Sequence, residues 1–428
     1  MNRDQRMERR NLGLFLSGKF VSLLGSQMYG FAMGLYILQL TGSGMSFAIN
    51  ILLSTIPAIL FSPLAGSLAD RKNRKKIVVG ADLLSGLIML IVFALTMNVG
   101  LKVSLVYLST FLLRSVSVFF NVTFDAAMPN LVRKEKIGQI QSFSQAATQG
   151  TSILGPIFGA VLYAIISPQL FLLANGISFV CSGISEMFID FYWRVAPAEP
   201  KSEEDHGYFA SIKEGYGYMA KNPMMKAMIR NIIGINFFFT VIGIMIPVVL
   251  VRDLQLSSQQ FGITEALFSI GALIWSIRMS QQEDADVTLL GHSKKLIWLP
   301  IMTLAMGFAV IPGIEILNAI PPVVYYGVLA FAMGASIMAI NIPMMVYIQK
   351  NTEDENRGRV MGFLNMIAML ITPLGYLLHG YLSDLLPSYM LFAYAGLGTL
   401  ILVGDLYRSG IRLERRTATY EAKSETKI

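Results

Sequence analysis

Stretches of about twenty apolar residues recur along this chain, and a run such as "IVVGADLLSGLIMLIVFALTMNVG" (77–100) leaves the backbone few ways to fold. A hydrocarbon core ~30 Å thick is crossed by roughly 20 residues of helix. No water reaches backbone N–H and C=O groups there, so each stretch must close its own hydrogen bonds as a helix. Windows of about 19 residues predict spans near 12–38, 46–69, 77–98, 103–127, 138–166 and 169–193. A second set follows near 226–251, 258–280, 295–313, 321–348, 359–382 and 388–407. Only 14% of the residues are charged and mean hydropathy is +0.57, against about 25% charged in soluble proteins. The expected fold class is an all-α membrane protein of twelve transmembrane helices.

Lys and Arg fall between alternate spans. Of the 34, all but Lys19, Lys102, Arg114, Arg230, Arg252 and Arg278 lie on the side that carries both termini. The positive-inside rule therefore puts both termini in the cytoplasm of a multi-pass plasma or inner membrane protein. The net charge of +7 then reports topology and contact with anionic lipid, and nucleic acid is not expected as a partner. "MNRDQRMERRN" runs into its apolar stretch without a small-residue cleavage site, so no cleavable signal is expected. One cysteine, Cys181, and three scattered histidines (His206, His292, His379) argue against a disulfide or a metal centre.

The longest polar interruption, "RVAPAEPKSEEDHGYFASIKEGYGYMAKNP" (194–223), divides the chain into halves. The predicted organisation is a six-helix half at 1–193, a linker with an amphipathic stretch at 194–224, a second six-helix half at 225–408, and a cytoplasmic tail at 409–428. A shift of 220 residues sets Arg10-Asn11 over Arg230-Asn231, and Asn121 over Asn341. It also sets Gly138 over Gly358, Phe143 over Phe363, Gly155 over Gly375 and Gly176 over Gly396. Parallel repeats with a site at their interface are a transporter signature.

"GSLADRKNRKK" (66–76) packs five bases and one acid between apolar segments. Topology accounts for Lys72, Lys75 and Lys76. It does not account for Gly66, where a missing side chain permits close helix approach, or for Asn73, which suits a left-handed turn. Gly66, Asp70, Arg71, Arg74 and Lys75 resemble the loop 2–3 signature of the major facilitator superfamily, with Asn73 where the family usually has Gly. The resemblance implies two pseudo-symmetric six-helix halves working by alternating access. It further implies a charge latch in which Asp70 meets the start of span 11 at Gly358 and Arg359, and Arg74 pairs with Asp125. "DRKNRKKIVVGADL", "IKEGYGYMAKNP" and "GRVMGFLNMIAMLITPLGYLLHGYLSD" resemble the branch containing macrolide-efflux and enterobactin-exporter proteins.

Charged and polar residues inside spans are candidates for function, because lipid makes them costly elsewhere. Tyr107, Thr110, Arg114, Ser117, Asn121 and Asp125 recur at helical spacing along span 4, which suits either a wet cavity or a polar seam between helices. The family also carries an arginine on span 4, and Arg114 occupies that place. Lys19 and Gln27 on span 1, Asn236 on span 7, Asn341 on span 10, and Asn365 and His379 on span 11 complete the cavity and coupling candidates. Glu265 on span 8 could carry a proton, whereas Asp82, Glu186 and Asp405 read as structural. In "TSILGPIFGA" (151–160), Gly155, Pro156 and Gly159 resemble the superfamily's antiporter motif; physically they allow close packing and a kink.

No GxxxxGK[ST] phosphate loop, HExxH or GxSxG motif occurs, which argues against ATP hydrolysis and against a membrane-embedded enzyme. The expected activity is secondary active efflux of amphipathic, drug- or macrolide-like small molecules by proton antiport, with no cofactor and with a monomer sufficient. Export of a lysophospholipid or siderophore is the alternative on the same fold, and a non-transporting membrane sensor or a membrane-embedded enzyme the alternative from another class. A path rich in Met, Phe and Tyr suits cargo of several shapes.

Overall fold

The structure, a computed structural model, describes residues 3–191, 208–280 and 288–425. The first part of the expected linker, 194–207, lies outside the described residues, as does the end of the tail, 426–428. Every regular element among the described residues is helical. In the first half of the chain these are α1 (Arg3–Thr41), α2 (Gly44–Arg71), α3 (Arg74–Val99), α4 (Val103–Ala127), α5 (Ile137–Ile165) and α6 (Pro168–Glu186). There follow α7 (Tyr208–Lys221), α8 (Pro223–Pro247), α9 (Ser258–Ser280), α10 (Leu289–Leu296), α11 (Trp298–Phe308), α12 (Ile316–Ala319), α13 (Pro322–Lys350), α14 (Asp354–Leu385) and α15 (Ser388–Glu425).

Eleven helices among the described residues are long and apolar enough to cross a membrane. The expected ninth span is the exception. Its helix begins early, at Leu289, and is interrupted at Ile297, giving α10 and α11. Pro300 has no N–H to offer the Leu296 carbonyl, which removes one rung of the ladder at that point. Ile297 keeps right-handed helical backbone (φ −59°, ψ −24°), so the interruption is one of hydrogen bonding. Two further ends differ from expectation. Helix α6 stops at Glu186, short of residue 193, and α8 runs past Pro247 into a wide π-type turn, Val248–Asp253.

Local chemistry explains the starts. Ser167 and Asn222 each cap a helix with a side-chain oxygen, and each is followed by a proline in the first turn, where the missing N–H costs nothing. Asn73 does the same for α3: its side chain accepts from Lys76 N–H, and its backbone is extended (φ −66°, ψ 108°). The left-handed turn expected at Asn73 is therefore not made. Capping satisfies an orphan donor that a tight turn would leave exposed.

Two compact units emerge. Helices α1–α6, with Gln255–Ala266 at the start of α9, form the first; α7, α8, the rest of α9 and α10–α15 form the second. Within the first unit α3 packs on α6 and α4, α2 on α4, and α1 on α5 and α6. Within the second, α8 packs on α14 and α15, α11 on α15, and α7 on α14. Two of the three glycine pairs aligned by the 220-residue shift make corresponding contacts, while Gly138 and Gly358 meet nothing. A β-carbon at Gly155 would strike Gln27 of α1, and one at Gly375 would strike Thr240 of α8. Gly176 lies against Met89 of α3, and Gly396 against Leu304 of α11. The spacing in the sequence thus corresponds to a repeated set of close helix contacts.

Candidate functional site

In the first unit, α1, α2, α4 and α5 enclose a cavity of about 230 Å³ that includes Gln27, Gly30, Asn50, Thr110, Arg114 and Pro156 among its lining. Arg114 Nη2 stands over Gly30, where a β-carbon would come within 2.9 Å of it. Among the described residues, no carboxylate forms an ion pair with Arg114. Beside it Thr110 donates to Asn50 Oδ1 (2.9 Å), and the Tyr29 hydroxyl lies 2.6 Å from Ser109 Oγ and 3.2 Å from Thr110 Oγ1. Tyr107 donates to the Ser46 carbonyl at 2.9 Å. The polar face of span 4 is therefore divided. Tyr107 and Thr110 form a seam with α2, while Arg114 faces open space.

The inner end of that face has a different partner from the one expected. Asp125 accepts from Lys19 Nζ at 2.6 Å, and the same ammonium donates to Ser144 Oγ of α5 at 2.6 Å. Arg74 reaches the end of α4 through the backbone, donating from Nη1 to the Ala126 carbonyl at 2.8 Å and from Nε to the Ala69 carbonyl. Its Nη2 lies 3.7 Å from Asp70, one helical turn away in sequence. Asp70 is 75% exposed at its side chain, and Arg71 and Lys75 lie at the same end of the unit. Gly66 makes no close approach in this structure, since a β-carbon there would meet nothing within 4 Å. Gly155 and Gly159, flanking Pro156, seat α5 against Gln27, Met28 and Phe31 of α1. Asn121 is half-buried on α4 and lines neither described cavity.

In the second unit, α8, α10, α11 and α13 enclose a cavity of about 190 Å³. Asn236 and Asn341, singled out separately in the sequence, meet there, joined by Asn231, His292, Met228 and Met344. Asn236 spends its amide on the Ile232 carbonyl (2.8 Å), whereas both amide atoms of Asn231 are buried without a partner. A cavity lined this way offers hydrogen bonds and soft apolar surface but no fixed charge. Each cavity alone is smaller than the ~300–1,000 Å³ typical of a drug-sized pocket.

The remaining candidates are dispersed. His379 is fully buried, with Nδ1 2.7 Å from Thr240 Oγ1 and its ring against Phe237 and Tyr394. It is a packed residue at the α8–α14–α15 contact. Arg359 Nε pairs with Glu214 of α7 at 3.1 Å; nothing would meet a β-carbon at Gly358. Glu265 is half-buried on α9 and lines neither cavity. The side chain of Asn365 lies outside the described residues. Asp405 is paired with Arg230 at a solvent-accessible position.

Other contributors carry a weaker signal in the sequence. Asn50 and Asn231 carry the same kind of signal as Asn236, a lone amide inside an apolar run. Glu8 is harder to find, lying among bases. It is 2% exposed at its side chain, accepts the Arg133 N–H at 3.1 Å and Lys136 Nζ at 3.3 Å, and ties the start of α1 to the turns before α5.

A sequence profile of the Major Facilitator Superfamily matches residues 15–376. Macrolide efflux protein A of Streptococcus pyogenes is 23% identical over 375 residues, covering 86% of this chain and 88% of its own. Multidrug efflux pump Tap of Mycolicibacterium fortuitum is 22% identical over 378 residues, covering 86% and 87%. The Staphyloferrin A transporter of Staphylococcus aureus is 20% identical over 402 residues, covering 92% and 94%. Among solved structures, a bacterial homologue of the iron transporter ferroportin in its inward-facing state superposes with a TM-score of 0.66 at 16% identity, covering 95% of this chain and 99% of that one.

Proposed function

Because the chain belongs to the major facilitator superfamily, a family of transporters rather than enzymes, we propose that it exports amphipathic small molecules by alternating access, driven by an inward cation gradient. The observation that carries this reading is the second-unit cavity, where Asn231, Asn236 and Asn341 stand among Met and Ile side chains without a fixed charge. Neutral donors and acceptors in a soft apolar lining suit solutes that are largely apolar with a few polar groups. The likeness to macrolide and multidrug efflux proteins supports the same cargo class. Orientation follows from the distribution of Lys and Arg, with both termini in the cytoplasm.

A second cargo has one specific support. Arg114 offers an uncompensated cation to the first-unit cavity, which favours an anionic solute such as a siderophore, and one relative is named as a staphyloferrin transporter. The gate is the 66–76 stretch. An Asp70→Asn substitution that left flux unchanged would remove this gate from consideration.

The deciding experiment is flux in liposomes carrying purified protein, with imposed pH or Na⁺ gradients, against macrolides, cationic dyes, lysolipids and siderophores. Gradient-dependent export of a macrolide or dye supports the first cargo, and export of the siderophore alone supports the second. Flux indifferent to every gradient refutes antiport.

A further inference from the structure

Three helices of the first unit share a polar layer between two apolar clusters. On one side lie Phe15, Val78 and Ile189; on the other lie Tyr29, Met89 and Phe179. Between them, α1 contributes Ser22, α3 contributes Asp82, and α6 contributes Ser182 and Glu186. All four are buried, at 3%, 2%, 4% and 0% exposure. Ser22 donates to Asp82 Oδ2 at 2.5 Å and lies 2.9 Å from Ser182 Oγ. The Gly18 carbonyl is 3.4 Å from Ser182 Oγ.

Glu186 completes the layer and is left without a donor. Neither carboxyl oxygen has a hydrogen-bond partner. A β-carbon at Gly18 would come within 3.0 Å of Oε1, so the acid occupies space that only glycine leaves on α1. Its neighbourhood opposes a bare negative charge in three ways. It is fully buried, Asp82 acts on it electrostatically, and it is the last residue of α6, where the helix dipole presents its negative end. The other charged residues of the three helices are engaged elsewhere or lie at helix ends. Lys19 is bound to Asp125 and Ser144. Arg6 to Arg10 and Arg74 to Lys76 belong to the first turns of α1 and α3.

A buried carboxylate that lacks both a cationic partner and a hydrogen-bond donor is costly, and something must offset it. We propose that the Ser22–Asp82–Ser182–Glu186 layer binds a hard monovalent cation, a proton or Na⁺, at a site separate from the cavities lined by Arg114 and by Asn236. Carboxyl, hydroxyl and carbonyl oxygens are the ligands such a cation takes. Among the described residues no group of three or more His, Cys, Asp or Glu is gathered, so divalent and soft metals find no cage. The 220-residue shift carries Ser22, Ser182 and Glu186 onto Ile242, Leu402 and Leu406. The polar layer is thus a property of one half, where a purely structural contact is met in the other half by apolar packing. Coupling this cation to cargo rests on the antiport reading; binding it does not.

The test reads binding apart from flux. Full-length protein in lipid nanodiscs is compared in acidic and alkaline buffer by infrared difference spectroscopy, and its melting is followed in NaCl against choline chloride at equal ionic strength. A protonated-carboxyl band that is lost in Glu186→Gln and displaced in Asp82→Asn assigns a proton. A Na⁺-specific rise in melting temperature that Glu186→Gln abolishes assigns Na⁺. A band and a melting response both untouched by Glu186→Gln overturn the site. Should that variant fail to fold, Glu186→Leu, which copies Leu406 of the other half, takes its place with the same readings. Cation binding that persists while flux ignores every gradient refutes antiport and leaves the site standing.

Discussion

Lys19 and Asp125 join α1 to α4 through an ion pair at 2.6 Å whose two ends differ in exposure, 6% for the lysine side chain and 51% for the aspartate. Removing the lysine leaves a carboxylate that water can solvate. Removing the acid leaves a buried ammonium with Ser144 as its remaining side-chain partner. A fully buried pair broken on one side loses about 3–5 kcal/mol; the half-exposed acid lowers that toward the ~1.5–3 kcal/mol of a charged hydrogen bond. Asp125→Ala is therefore expected to destabilise by about 2 kcal/mol and Lys19→Met by clearly less. Melting curves of both variants and the double variant decide it. Equal losses from the two single changes would show that exposure does not govern this pair.

Gly30 governs the position of Arg114. A methyl group at residue 30 would stand 2.9 Å from Nη2, and the obstructing atom is the far end of a flexible side chain. The arginine can move aside, so Gly30→Ala is expected to leave melting nearly unchanged. Transport should fall because the guanidinium leaves its place in the cavity, and Arg114→Ala should lower it at least as far. Wild-type flux in Gly30→Ala, alongside loss in Arg114→Ala, would mean that the charge matters and its placement does not.

The division between what the sequence revealed and what it concealed follows from range. Apolar runs of twenty residues are local, and they located eleven membrane-crossing helices. Lone amides inside such runs are local too, which is why Asn236 and Asn341 stand out individually although they share one cavity. Partners are not local. Helical spacing put Asp125 on a face of span 4, but whether Arg74 or Lys19 meets it depends on how α1 and α3 pack against α4. Asp82 and Glu186 lie far apart in the sequence, and each alone reads as structural. Only the packing of α1, α3 and α6 shows two acids in one dry layer. At Asn73 and Pro300 the local signal was present but compatible with two outcomes, a turn or a cap in one case, a continuous or an interrupted helix in the other.

His379 bears on coupling by being packed. Its ring is buried, one nitrogen is satisfied by Thr240 at 2.7 Å, and aromatic rings flank it. Loss of a buried, hydrogen-bonded ring costs on the order of 2 kcal/mol or more, so His379→Ala should melt well below wild type. His379→Gln, which keeps a polar group near Thr240, should recover part of that loss. The pH dependence of flux should keep its midpoint in His379→Gln. A displaced midpoint would make His379 a coupling residue after all.

Glycines at two kinds of position give opposite expectations. Gly271 of α9 and Gly334 of α13 meet where these helices cross, and a methyl group on either would overlap a backbone carbonyl, Phe331 for the first and Phe268 for the second. Backbone cannot rotate away as a side chain can, so each alanine should cost about 1–3 kcal/mol by overpacking. The double variant should lose less than the sum, because one displacement of the crossing relieves both. Gly66 is the contrast. Nothing stands within 4 Å of a β-carbon there, and alanine is the better helix former by about 1 kcal/mol, so Gly66→Ala should melt at or above wild type. If its flux nevertheless falls, the space at Gly66 is needed in a conformation other than this one, as a gate requires. Melting of Gly271→Ala at the wild-type temperature would show that the α9–α13 crossing yields without cost, and unchanged flux in Gly66→Ala would remove Gly66 from the gate.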